Sequence, residues 1–253
     1  MIAVQAVQTR RSVKLATDAL RLSERAYKRE LMSTIERNAA DFKIDIGLIH
    51  GKPLVVSKDW RGIGAVDASI STIYRFPRDA ETYVTCAVPI TVTNLSNREV
   101  ILQSDRARID TGNPNVETMT ITVERNSTGS YTLHLMKSLE SMKRIEANED
   151  PVRGPGVFTT TLTYRGHSDA DVDRFFHFYA YSPVLVENPE MGGDWSFEKV
   201  PESGGLVYLG GARRYWESRA EGLVLRESPG IMIDEAFAQF REENRGGGSA
   251  SVY

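Results

Sequence analysis

The chain predicts a mainly β protein, an antiparallel β-sandwich preceded by a long amino-terminal amphipathic helix and closed by a short carboxy-terminal helix. Three observations carry that expectation. Residues 83–110 hold two adjoining runs of alternating apolar and polar residues, the period of a half-buried strand. The alternation recurs in about ten to twelve short segments punctuated by Gly, Pro, Asn and Asp, the spacing of a sandwich or barrel. Residues 12–36, by contrast, place apolar residues at helical spacing with no Gly or Pro among them.

In that helix Leu15, Ala16, Ala19, Leu20, Leu22, Ala26, Tyr27 and Leu31 fill an arc of roughly half the circumference. Lys14, Asp18, Arg21, Arg25, Lys28 and Arg29 fill the other half. So wide an apolar arc needs cover, from the β domain, a copy of itself, another protein or a membrane surface. Asn38 to Asp41 ends the helix, and Phe42, Ile44, Ile46 and Leu48 start the β pattern with no flexible linker between. Leu54 to Ser57 follows, then a Gly-rich loop around Trp60, and a strand near Ala68 to Tyr74.

Within 83–110, Val84, Cys86, Val88, Ile90 and Val92 alternate with Thr85, Ala87, Pro89 and Thr91. Asn94 to Asn97 turns the chain, and Val100 and Leu102 resume the pattern, so the stretch reads as an antiparallel hairpin needing a second layer. Pro89 has no ladder donor, which predicts a bulge there or an edge position. A second hairpin is expected from Met119, Ile121 and Val123 to Tyr131, Leu133 and Leu135, and a short helix over Ser138 to Ala147. Val157 to Arg165 opposes Thr159, Thr161 and Thr163 to Phe158, Leu162 and Tyr164. Val172 to Val186 is aromatic or apolar on both faces and predicts an interior strand. A Gly-rich segment from Gly192 to Trp216 contains a short strand at Leu206 to Leu209; Leu223, Leu225 and Ile231 to Ile233 close the sheets, and Asp234 caps a last helix bearing Phe237 and Phe240. The expected domains are a docking or oligomerisation arm over 1–40, a β-sandwich over 41–245 with a smaller lobe from about residue 189, and a Gly/Ser tail over 246–253.

Composition narrows the function. The 253 residues are 41% hydrophobic and 26% charged, enough for a folded domain with its own core. One cysteine, Cys86, on the apolar face of its strand, permits no intramolecular disulfide. The apolar run before Arg10 and Arg11 is too short for a secretory leader or a transmembrane segment, so a cytoplasmic or virion location is expected. Residues 1–40 carry eight Lys or Arg against four Asp or Glu, net +4, and the remainder carries 23 against 30, net −7. The basic charge is local.

P-loop, Rossmann, zincin and nucleophile-elbow motifs are missing from the sequence. His50, His134, His167 and His177 show no metal-ligand spacing, and His177 reads as a hydrogen-bonded core residue. Asp169, Asp171 and Asp173 alternate in an extended segment and could offer oxygens to Ca²⁺, though Arg174 and Ala180 stand where an EF-hand needs Gly and Glu. Trp60, Trp195 and Trp216 are candidate aromatic contacts for a glycan or a protein. Arg213-Arg214-Tyr215-Trp216 interleaves base and aromatic, but four residues in an acidic domain make a poor nucleic-acid footprint. In layout alone, a helix leading into β strands resembles virion proteins whose amino-terminal arm reaches into a neighbour. The expectation is a non-enzymatic assembly protein without a cofactor, bound to itself or to a larger assembly through the helix and sheet edges. Two other readings stand beside it: a Ca²⁺- or carbohydrate-binding module or enzyme, and a peripheral membrane protein held by the basic amphipathic helix.

Overall fold

The computed structural model describes residues 2–47, 54–58, 66–67, 71–112, 118–143, 157–181, 184–197 and 207–228. It is a mainly β chain with antiparallel sheets and one amino-terminal helix, α1 (Ile2–Asn38). The strands are β1 (Phe42–Ile46), β2 (Leu54–Ser57), β3 (Val66–Asp67), β4 (Tyr74–Arg75), β5 (Tyr83–Asn94), β6 (Val100–Ser104), β7 (Arg108–Asp110) and β8 (Thr120–Val123). They continue with β9 (Thr128–Ser138), β10 (Val157–Tyr164), β11 (Val172–Tyr181), β12 (Leu185–Glu187), β13 (Asp194–Phe197), β14 (Val207–Ser218) and β15 (Leu223–Ser228). One six-stranded sheet has the order β3-β2-β5-β9-β7 with β1 also paired to β5; a second has the order β15-β14-β11-β10-β6-β8; a three-stranded sheet has the order β12-β13-β4. The helix begins ten residues earlier than expected, because Met1 to Arg11 also lacks Gly and Pro and nothing there stops it. The expected closing strand at Ile231 to Ile233, the last helix after Asp234, the Gly/Ser tail and the Trp60 loop lie outside the described residues.

Both expected hairpins are corrected by the pairing. β5 belongs to the first sheet and β6 to the second, and likewise β9 to the first and β8 to the second. Each turn carries the chain from one sheet to the other. Asn94 accounts for this: its side-chain nitrogen donates to the carbonyls of Arg98, Val123 and Glu124 at 2.8, 3.1 and 3.0 Å, so one buried amide holds both crossings. Its backbone N–H donates to Ser127 O, and Asn126, at φ 50°, donates to Ser96 O. Alternation of apolar residues fixes which face of a strand is buried, and it is silent on which strand lies beside it.

Pro89 sits inside β5 between two partners. β1 pairs with β5 from Ile90 onward and β2 pairs up to Cys86, so the missing N–H falls in the gap between them, while the Pro89 carbonyl accepts from Gly47 N at 2.8 Å. On the other side the ladder to β9 runs unbroken from Tyr83 to Thr93. The expected helix over Ser138 to Ala147 is confined to one 3-10 turn, Glu140–Met142, with residues from 144 outside the described set.

The chain divides into two compact units. The described residues within 40–165 and 174–213, with Ser228, form the larger one. Its core draws Val84, Val88, Ile90, Leu133 and Leu135 from the first sheet and Leu102, Ile121, Phe158, Leu162, Tyr164 and Phe178 from the second into one buried cluster. The Phe42 ring lies 5.1 Å from Tyr164 and 5.5 Å from Phe176. Cys86 is buried in this core, and burial pushes its thiol pKa up to about 12, so it stays protonated near neutrality. The smaller unit comprises residues 1–39, 166–173 and 214–227, that is, α1, the turn between β10 and β11, and the ends of the β14–β15 hairpin.

Candidate functional site: an anchored helix with an uncovered apolar arc

The smaller unit has its own apolar centre, Ile35, Val172 and Tyr215, with Leu31, Met32, Ala39, Ala170 and Leu225 packed around it. Only the last turns of α1 take part. Ile35 is buried and the Tyr215 hydroxyl donates to the Glu36 carboxylate, so an apolar contact and a charge-assisted hydrogen bond fix the carboxy-terminal end of the helix.

The acidic turn builds the platform for that anchor. Asp173 accepts from Arg219 Nη2 at 2.7 Å, Arg219 Nη1 at 3.1 Å, Trp216 Nε1 at 2.7 Å and Gly166 N at 3.3 Å. Asp171 accepts from Ser168 N at 3.0 Å. Gly166 is demanded by this packing, since a Cβ there would stand 2.1 Å from the Asp171 carboxyl carbon. Asp169 accepts from Ala220 N at 2.8 Å; that bond, helped by Ser218, holds its pKa below the usual carboxylate value. Each of the three carboxylates read from the sequence is thus held by donors of this chain. A Ca²⁺ ion would compete with Arg219, Trp216 and backbone amides for the same oxygens. Among the described residues, no group of three or more His, Cys, Asp or Glu side chains is placed to hold a metal ion.

Trp216 lies against the guanidinium groups of Arg214 and Arg219, 5.6 and 5.4 Å from its ring centre, and Arg214 also pairs with Glu227. Trp195 is elsewhere, in β13 of the larger unit, edge-on to Phe76 with Lys143 Nζ 5.1 Å from its ring. Beside it the Arg75 guanidinium holds the Asp194 carboxylate below its usual pKa, at 2.6 Å. Trp60 lies outside the described residues. His177 meets Thr161 Oγ1 at 3.1 Å, and burial lowers its pKa.

Every residue of α1 from Arg10 to Glu30 is exposed. Leu20 retains 71% of its surface, Leu15 70% and Leu22 64%, so these members of the arc predicted from the sequence are uncovered, while Leu31 packs on the small apolar centre. At 100° per residue, Leu15, Ala19, Leu22 and Ala26 lie about 140–180° around the helix from Ile35. They face away from the docked side. Lys14, Arg21, Arg25 and Lys28 lie within about 80° of Ile35, and Lys28, paired with Glu24 at 2.8 Å, also feels the charge of Glu217. The Glu24 bond raises the Lys28 pKa and lowers that of Glu24. No described helix is long and apolar enough to cross a membrane.

The anchor residues escaped the sequence reading. Ile35 continues the spacing of Leu31 by four, and Tyr215 stands within the Arg-Arg-Tyr-Trp run that drew attention for another reason. Spacing could have suggested the first; the contact of Glu36 with Tyr215 joins residues 179 positions apart and has no local signal. No protein-family profile matches the chain, and no curated protein matches it.

Proposed function

We propose that this chain is a non-enzymatic assembly protein whose α1 arc makes protein–protein contacts, with the two six-stranded sheets facing one another as a β-sandwich. One buried cluster fed by both sheets supports the sandwich. The observation that supports assembly is the exposure of Leu15, Leu20, Leu22 and Tyr27 on a helix whose far end is anchored. Exposing such an arc in water is unfavourable by about 25 cal/mol per Å² of apolar surface, and covering it releases that free energy. Because the helix is held by Ile35 and Tyr215 before any partner arrives, little ordering remains to be done on binding.

The test is the native mass of the full chain by light scattering, compared with a Leu20→Glu/Leu22→Glu variant. Both positions are exposed, so the substitutions leave the core untouched. The reading expects an assembly that the double variant loses. A mass that the two glutamates leave unchanged sinks it.

A further inference from the structure

We propose that the occupant of the arc is a second copy of α1, packed antiparallel along Ser12, Leu15, Ala19, Leu22, Ala26 and Arg29; this rests on the assembly reading. These positions alternate in steps of three and four, the spacing of a coiled-coil seam, and all are exposed on the side of the helix turned from Ile35.

Orientation follows from residue size and charge. An antiparallel pair centred between Leu20 and Arg21 sets Leu15 against Ala26 and Ala19 against Leu22 of the second copy, so each large side chain meets a small one and the backbones approach closely. Ser12 then faces Arg29. The flanking position places Asp18 of each copy beside Arg25 of the other, giving two symmetric opposite-charge pairs. A parallel pair would stack Ala19 on Ala19, leaving a thin layer, and Arg29 on Arg29, a repulsion. The contact is isologous, so it closes at two copies.

The seam spans residues 12–29, about 27 Å of helix at 1.5 Å per residue. Burying one side of a cylinder of that length removes roughly 500 Å² per copy, less than the roughly 800 Å² of a standard stable interface. The dimer is therefore concentration-dependent, and Val13, Leu20 and Tyr27, within about 80° of Ile35, lie outside its seam.

Cysteine pairing reads this directly in the full chain. The native Cys86 is buried and does not compete. Leu15→Cys and Ala26→Cys variants, mixed and mildly oxidised, should give a disulfide-linked heterodimer, while each variant alone stays unlinked. A link formed by Leu15→Cys alone means a parallel pair and overturns the proposal; so does the absence of any link in the mixture. In parallel, Asp18→Arg should shift the mass midpoint to higher concentration by tenfold or more, and the swapped Asp18→Arg/Arg25→Asp variant should restore it. Where the two glutamates of the earlier test abolish assembly but the cysteine pattern is wrong, the antiparallel pair fails and the assembly reading stands. Where those glutamates change nothing, the assembly reading itself fails.

Discussion

Asn94 shows how much one side chain can decide. Its amide is fully buried and feeds three carbonyls on two separate crossings between the sheets. Replacing it with Ala leaves those acceptors without their donor, at about 1 kcal/mol net for each bond. Asn94→Ala should therefore destabilise the chain by about 2–4 kcal/mol in urea unfolding, whereas Thr93→Ala, on the half-buried face next to it, should cost under about 1 kcal/mol. His134 acts through its charge instead. Burial lowers its pKa, with Asp110 opposing more weakly, and burial lowers that of His177 in the same sense. The folded chain thus binds these protons less readily than the unfolded chain, whose histidines titrate near pH 6.5. The stability is complete above that value and is lost as pH falls through the window below it. The melting temperature should drop between pH 7 and 5, and His134→Gln should flatten part of that drop.

At the scale of elements, the helix and most strands were legible in the residues, and their arrangement was not. The buried faces of β5, β9 and β10 match the alternations read from Val84 to Val92, Leu133 to Leu135 and Phe158 to Tyr164, because period-2 burial is a local property of a pleated strand. The partners of β6 and β8 were read wrongly because a turn between two alternating runs looks the same whether the chain folds back within a sheet or passes to the next. The apolar arc of α1 was visible from spacing alone, while its anchor depends on Tyr215 and Val172 from distant segments. That anchor is small. Ile35→Ala removes most of its one fully buried aliphatic side chain from α1 at a cost of about 2–4 kcal/mol, and should speed hydrogen exchange over residues 31–38 without changing exchange in β9.

Across the whole molecule the charge is unevenly divided. The net +4 of residues 1–40 and the net −7 of the rest keep the amino-terminal segment distinct in charge from the remainder. Within that segment Lys14, Arg21, Arg25 and Lys28 lie within about 80° of Ile35, and Leu15, Ala19, Leu22 and Ala26 lie on the far side with Arg11 and Arg29 at its border. On the assembly reading, protein covers the apolar arc of α1. Light scattering over a concentration series of the full chain tests it most directly. The prediction is a mass that rises above the 28.3 kDa of one chain with increasing concentration and returns to 28.3 kDa in the Leu20→Glu/Leu22→Glu variant. A mass of 28.3 kDa at every concentration for both proteins would contradict it.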